Sequence, residues 1–218
     1  MTGRDARVLV VACGALAREI GALRDQLGHL ELRCLPAILH NRPERIAPAV
    51  EAALADRGDY AAAFVAYGDC GTGGDLARLC ARLGVGMIDA PHCYAFYEGP
   101  EVFAARGAVE GEIDAFYLTD FLARQFDAFV TRPLGLDRHP ELRDMYFGHY
   151  AKLVHLAQTD DPALDARARG AAASLGLAHE RRFTGLGPFA AALEPLRRAA
   201  AGPKARVLPD IRADSPKT

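Results

Sequence analysis

The chain has 218 residues, half of them hydrophobic, and a formal net charge of −2. That is enough apolar material for a sizeable core, in one large domain or two small lobes. A near-neutral balance with no basic block leaves no electrostatic footprint for nucleic acid or an anionic membrane surface. No apolar run approaches a membrane span, and the polar start Met1-Thr2-Gly3-Arg4-Asp5 is unlike a signal peptide. A cytoplasmic location is the expectation. In that reducing compartment the five cysteines are expected as thiols, metal ligands or catalytic groups rather than as disulfides.

Residues 7–13 are a continuous apolar run that suits a strand covered on both faces. Gly14 turns the chain, and Leu16, Ile20, Leu23 and Leu27 then fall on one helical face. Leu30, Leu32 and Cys34 alternate with Glu31 and Arg33, which predicts a second strand with one face in the core. Residues 36–42 read as a loop, and Pro43 suits the first turn of a helix whose apolar side carries Ile46, Val50, Ala53 and Leu54. A third strand over residues 60–66 leads into Tyr67-Gly68-Asp69-Cys70-Gly71-Thr72-Gly73-Gly74. The helix that follows, residues 75–83, puts Leu76, Leu79, Cys80 and Leu83 on one face and stops at Gly84. A fourth short strand over residues 85–90 ends at Pro91-His92-Cys93-Tyr94.

The second half repeats this logic. Strands are expected over residues 113–119, 152–158 and 177–183, and helices over 120–131 and 140–150. Asp160-Asp161-Pro162 caps a further helix through Ser174, and the turn Thr184-Gly185-Leu186-Gly187-Pro188 opens a last one to about residue 201. The tail from Gly202 is expected to be partly ordered at residues 206–208 and loose after Ala213. Short connections between alternating strands and helices predict a parallel sheet with right-handed crossovers. The expected class is therefore α/β, with parallel-sheet, Rossmann-like organisation. Two related lobes around a cleft are expected: residues 1–98 carrying the cysteine turns, and residues 99–218.

Ligands on such sheets bind beyond the carboxyl ends of the strands, and Cys13, Cys70 and Cys93 each sit at such an end. Cys34 and Cys80 fall in phase with apolar neighbours and are expected in the core. At the third strand end, four glycines in seven residues admit backbone conformations closed to other residues. Exposed N–H groups at the helix start would favour an anion, which makes Gly71, Thr72, Gly73 and Gly74 a candidate cradle for an anionic part of a cofactor. They would equally favour a thiolate at Cys70.

Asp69, His40 and His92 are expected at the same edge as candidate catalytic groups. Three uses of the sulfurs stay open: zinc with His92 or His40 as fourth ligand, a four-iron cluster with one iron free for substrate, or a metal-free acid–base pair of thiols. The Walker lysine, the dinucleotide glycine fingerprint, G-x-S-x-G and H-E-x-x-H are all missing from the sequence. Tyr94, Phe96 and Tyr97, and the run Tyr146-Phe147-Gly148-His149-Tyr150, read first as packing, with His149 and Tyr150 as candidate second-lobe contributors.

Ala12-Cys13-Gly14-Ala15-Leu16, Leu35-Pro36-Ala37-Ile38-Leu39-His40-Asn41, Tyr67 to Gly74 and His92-Cys93-Tyr94 resemble a prokaryotic family catalogued as domain of unknown function 1638. Tyr117-Leu118-Thr119-Asp120-Phe121-Leu122 and Leu134-Gly135-Leu136-Asp137 are similar too, so the resemblance spans nearly the whole chain. It implies one-carbon metabolism, since members accompany corrinoid-dependent methyltransferases and their partners. The leading expectation is a metal-centre protein with Cys13, Cys70 and Cys93 as ligands. An iron–sulfur cluster (4Fe-4S) is favoured over zinc, because no single histidine stands out as fourth ligand. Such a protein would act on a small-molecule substrate, with a corrinoid protein or methyltransferase as partner. The alternatives are a cofactor-independent racemase or lyase with paired thiols, and a non-catalytic carrier of metal or corrinoid protein.

Overall fold

Val8–Cys13 forms strand β1, and all six residues are buried. Successive strand side chains point to opposite faces, so complete burial means that both faces are covered. β1 lies between β2 (Leu30–Leu35) and β3 (Ala62–Ala66), and β3 pairs with the short β4 (Gly86–Met87). The sheet order is β2-β1-β3-β4, and every pairing is parallel. The computed structural model describes residues 7–27, 30–57, 60–106, 114–194 and 196. Among them, no helix is long and apolar enough to cross a membrane.

Two short helices, α1 (Ala17–Ala22) and α2 (Arg24–Leu27), bury Ile20 and Leu27 and are joined through the buried Leu23. The expected loop at residues 36–42 winds into a 3-10 turn, Ala37–Asn41, and a second one over Pro43–Arg45 enters α3 (Ile46–Leu54). Helix α4 (Asp75–Leu83) buries Leu76, Leu79 and Cys80 and closes on Gly84 in the left-handed region, φ 62°. α5 (Ala95–Glu98) and α6 (Pro100–Arg106) follow. Cys34 departs from expectation: it is exposed, not a core residue. β2 is an edge strand, burial fades along it from Leu30, and Arg33 in the opposite phase turns towards α3, donating to the Ala53 carbonyl at 2.9 Å.

A second parallel sheet, ordered β5-β6-β7, is made by Ala115–Thr119, Lys152–Ala157 and Ala178–Phe183. The helix expected over 120–131 kinks at Gln125 (φ −118°, ψ 21°): α7 spans Asp120–Phe126, and one π-helical turn, Asp127–Thr131, completes it. α8 (Arg143–Phe147) sets Phe147 edge-on to Phe116 at 5.2 Å, and Tyr150 meets Phe116 at 5.8 Å. α9 (Pro162–Leu175) begins as its sequence dictates: Asp161 accepts from Ala163 N at 2.9 Å, and proline occupies the first turn. Leu118, Leu153, Leu164, Ala168 and Ala172 form the core here.

The chain thus comprises two Rossmann-like α/β lobes. One compact unit is Met1–Val102 with Pro188–Thr218, and the other is Phe103–Gly187. Where a cut after residue 98 was expected, the first unit runs to Val102 and takes the chain back at Pro188. The reason is packing: Phe189 of α10 (Gly187–Ala192) is fully buried, stacked on Tyr97 at 5.5 Å and edge-on to Phe96 at 6.2 Å. The expectations for residues 206–208 and beyond lie outside the described residues.

Two glycines predict opposite responses to an added methyl. A Cβ at Gly68 would lie 2.8 Å from the Ala90 carbonyl oxygen and 2.8 Å from the His92 carbonyl carbon. Gly68→Ala is expected to cost about 1–3 kcal/mol through forced backbone displacement. Gly21, within α1, has nothing within 4 Å of its added Cβ, so Gly21→Ala should stabilise by about 0.5–1 kcal/mol. Urea unfolding of both variants reads the two signs.

Candidate metal centre

All four strand ends of the first sheet feed one place. Cys13 is the last residue of β1, and His40 lies in the 3-10 turn after β2. Cys70 follows β3, and His92 and Cys93 follow β4. The strand order reverses between β1 and β3, the point at which open parallel sheets form a ligand crevice. Two glycines bring the backbones close enough. A Cβ on Gly14 would stand 2.9 Å from the Leu35 carbonyl oxygen, and Gly68 is as tightly placed against residues 90–93. Asp69 N then donates to the Ala90 carbonyl at 2.7 Å and Cys70 N to the Pro91 carbonyl at 3.0 Å, fastening the Cys70 turn to the His92–Cys93 loop.

The glycine turn is organised from within. Asp69 Oδ1 accepts from Thr72 Oγ1 at 2.7 Å and from Gly74 N at 2.7 Å, and Oδ2 accepts from Gly73 N at 3.1 Å. Gly71 N also faces this carboxylate, Thr72 N donates to the Asp69 carbonyl, and Asp75 N donates to the Thr72 carbonyl. Every amide from Gly71 to Asp75 is therefore occupied. At Gly71, Thr72, Gly73 and Gly74, where an anionic part of a cofactor was expected, each residue already turns a donor to the Asp69 carboxylate, which caps the turn. Burial opposes its ionisation, but the bonds from Thr72, Gly74, Gly73 and Gly71 together outweigh burial and hold the carboxyl below its ordinary range.

This turn holds Cys70 at φ 49°, the single non-glycine residue with positive φ among those described. A side chain in that region costs backbone energy and persists where its surroundings over-determine it. The resulting orientation brings Cys70 Sγ within 4.8 Å of ring nitrogens of His40 and His92, with Cys93 nearby. Hydrogen bonds from Cys93 and then, against burial, from His40 draw the Cys70 pKa down to about 4. The Cys93 thiol is pushed up, first by the bond it gives to Cys70 and then by burial. The pair shares one proton, with the thiolate on Cys70.

His40, Cys70 and His92 each offer a ligand atom within 4.8 Å of the other two. His92 Nδ1 accepts from Tyr94 N at 3.3 Å, which assigns its proton to Nε2, and Nε2 lies 3.3 Å from His40 Nε2. Burial, with His40 nearby, lowers the His92 pKa against the pull of the Cys70 thiolate. Cys93 Sγ stands 3.7 Å from His92 Nδ1.

Cys13 is placed differently. Burial raises its pKa, with a smaller offset from the Ala15 amide, and it feels Cys70 without belonging to the His40–Cys70–His92 group. The two histidines, expected as catalytic groups, stand with Cys70 in a group that could hold an ion, while Cys13, expected as a ligand, lies near Cys70 and Cys93 but outside that group. Tyr67 is a site residue that pattern reading passes over. It is buried, its hydroxyl donates towards Cys13, and Cys70 and Cys93 lie close by. An aromatic at the end of an apolar strand reads as core, so its polar tip gave no signal.

Asp69→Asn keeps the size but puts an NH2 against backbone donors. It should destabilise the metal-free chain by about 1–3 kcal/mol at neutral pH. Because the folded-state pKa is depressed, the parent's advantage is complete above the ordinary aspartate range and is lost as pH falls through the lowered value. Parallel denaturation of parent and variant at neutral and acidic pH checks the closing gap.

No curated protein and no solved structure matches the chain. The family model described as "Protein of unknown function (DUF1638)" matches residues 34–193, a span that includes His40, Cys70, His92 and Cys93 and begins after Cys13. That match covers well over half of the 218 residues, and the chain is a member of the DUF1638 family.

Proposed function

We propose that this chain is a metal-centre protein whose first unit holds a single soft divalent ion, zinc by preference, on Cys70, His40 and His92, with Cys93 as fourth donor. The observation that carries this reading is geometric: Cys70, His40 and His92 each offer a ligand atom within 4.8 Å of the other two, and two imidazole nitrogens face each other at 3.3 Å, where an ion would replace the proton between them. Loading would expel both the Cys93 proton and the proton between the two imidazole nitrogens, so metal affinity should rise with pH. Mixed sulfur and nitrogen donors suit zinc.

Two imidazoles beside Cys70 favour one ion of mixed sulfur and nitrogen ligation over the four-iron cluster, which takes thiolate ligands. When bound, the ion would supply Lewis acidity to a ligand displacing one of its donors. His40 is exposed and marks the side from which a small molecule would enter, while the Tyr67 hydroxyl is a donor on the buried side. With the family's implied link to corrinoid methyl metabolism, the reading is an enzyme or accessory factor of one-carbon metabolism, with a methyltransferase or corrinoid protein as partner.

The test is anaerobic purification followed by metal and sulfide analysis, then cobalt(II) substitution. Zinc without inorganic sulfide is expected, and the cobalt form should show a sulfur-to-cobalt charge-transfer band. Cys70→Ala should weaken that band and Cys70→Ala/Cys93→Ala should lose it, and His40→Ala should weaken cobalt binding about tenfold or more. Cys80→Ala, on the buried face of α4, should keep the band and lose only about 1 kcal/mol of stability. Stoichiometric iron with sulfide would replace the single ion by a cluster, and an undiminished band in Cys70→Ala would overturn the centre.

A further inference from the structure

The second unit contains another group of metal-ligating side chains, on residues that the cysteine centre does not use. In the β6–β7 pairing Leu153 stands opposite His179, so His155, two residues along β6, shares a sheet face with His179. Helix α9 packs on both strands and brings Asp165, from its first turn, to the same face. Asp165 Oδ1 lies 3.8 Å from His155 Nδ1 and 3.7 Å from His179 Nε2, and all three atoms lie within 4.8 Å of one another. Each of the three is a buried polar atom without a hydrogen-bond partner.

Three orphaned atoms aimed at one point are costly unless something joins them. Their protonation makes the point sharper. His155 is 1 % exposed, and its Nε2 lies 3.0 Å from Asp120 Oδ1, itself on a fully buried residue. Asp120 accepts further from Thr159 N at 3.0 Å and Thr159 Oγ1 at 2.6 Å, and Arg124 stands 3.8 Å from Oδ2. That carboxylate accepts, so Nε2 carries a proton, and Nδ1 is left facing the Asp165 carboxylate at 3.8 Å without a hydrogen bond. A metal ion seated between Nδ1 and Oδ1 would join them in place of a proton. A carboxylate on the far nitrogen of a histidine is also the usual arrangement behind a metal ligand, fixing the tautomer and the ring.

We propose that His155 Nδ1, Asp165 Oδ1 and His179 Nε2 form a second site, for a divalent first-row transition ion. Bonds of about 2.0–2.2 Å in a tetrahedron put ligand atoms roughly 3.3–3.6 Å apart, so an ion would draw Asp165 Oδ1 a few tenths of an ångström closer to each imidazole and bring the two imidazole nitrogens, now within 4.8 Å, together. Asp165 Oδ2 is already held by Arg169, which leaves Oδ1 for monodentate ligation. The competing cation is Arg181, whose Nε is 3.8 Å from Oδ1. Its Nη2 is engaged by Asp160 at 2.7 Å, and its guanidinium lies over the Phe183 ring. Asp165 and His179 are 18 % and 17 % exposed, so the ion is reached from their side, and a fourth position there is left for water or substrate. Two histidines and one carboxylate with an open position are the donor set of hydrolytic zinc and of non-haem iron(II). Zinc and cobalt are the probes.

Metal-stripped full chain is titrated with cobalt(II), following the d–d bands and the sulfur charge-transfer band separately, and with zinc by thermal shift. The double variant Cys70→Ser/Cys93→Ser removes both sulfur donors, and with them the charge-transfer band, and should leave about one equivalent of cobalt bound by nitrogen and oxygen alone. In that background, His179→Ala and the near-isosteric Asp165→Asn should each weaken the remaining binding at least about tenfold and abolish the zinc-induced rise in Tm. Cobalt binding in the double variant that is equal with and without Asp165→Asn overturns the proposal, as does the loss of all binding in the double variant. Loss of the charge-transfer band from the parent alone would instead count against the cysteine centre, so the two failures are distinguishable.

Discussion

The Asp69 carboxylate is the constraint on which the first unit's chemistry depends. It gathers the amides of the glycine turn and the Thr72 hydroxyl, and so closes a loop whose backbone would otherwise have many conformations to lose. The closed turn places Cys70 in a left-handed conformation, with its sulfur within 4.8 Å of His40 and His92 nitrogens. A local electrostatic arrangement becomes a site because two close backbone approaches, at Gly14 and Gly68, admit the neighbouring loops.

The two units use an acidic residue just beyond a parallel strand in related ways. Asp69 follows β3 and satisfies its own turn, whereas Asp120 follows β5 and reaches across to Thr159 and His155 of the neighbouring strand and its exit loop. In each case a buried or half-buried carboxylate organises donors next to a histidine-containing ligand group. Asp69 acts through the backbone geometry of a cysteine, and Asp120 through the tautomer of an imidazole. The Rossmann-like sheet supplies strand ends, and the carboxylates decide what those ends present.

Much of the scaffold was legible from pattern alone. Apolar runs ending in glycine located β1 and β3, α4 was bounded by Gly74 and Gly84, and the Asp161-Pro162 cap announced α9. The convergence of Cys13, Cys70 and Cys93 on one sheet edge followed from strand ends. Their division of labour did not. Residues 37–41 wind into a 3-10 turn that carries His40 in towards Cys70, and no periodicity marks that winding. A glycine-rich turn before a helix reads as an anion cradle, and nothing in its composition reveals that Asp69 already fills it. Cys34 misled because alternation says nothing about whether a strand lies at an edge. The His155–Asp165–His179 group was hidden by separation along the chain and by an apolar strand in which a lone histidine passes for core.

The central claim is that one ion sits between sulfur and imidazole at the carboxyl edge of the first sheet. X-ray absorption at the zinc edge tests it most directly, on the His179→Ala chain loaded with a single equivalent. The account predicts a mixed shell, with sulfur at about 2.3 Å, nitrogen at about 2.0–2.1 Å, and outer-shell imidazole scattering. A shell without sulfur, or one of sulfur alone with no imidazole signature, would contradict it.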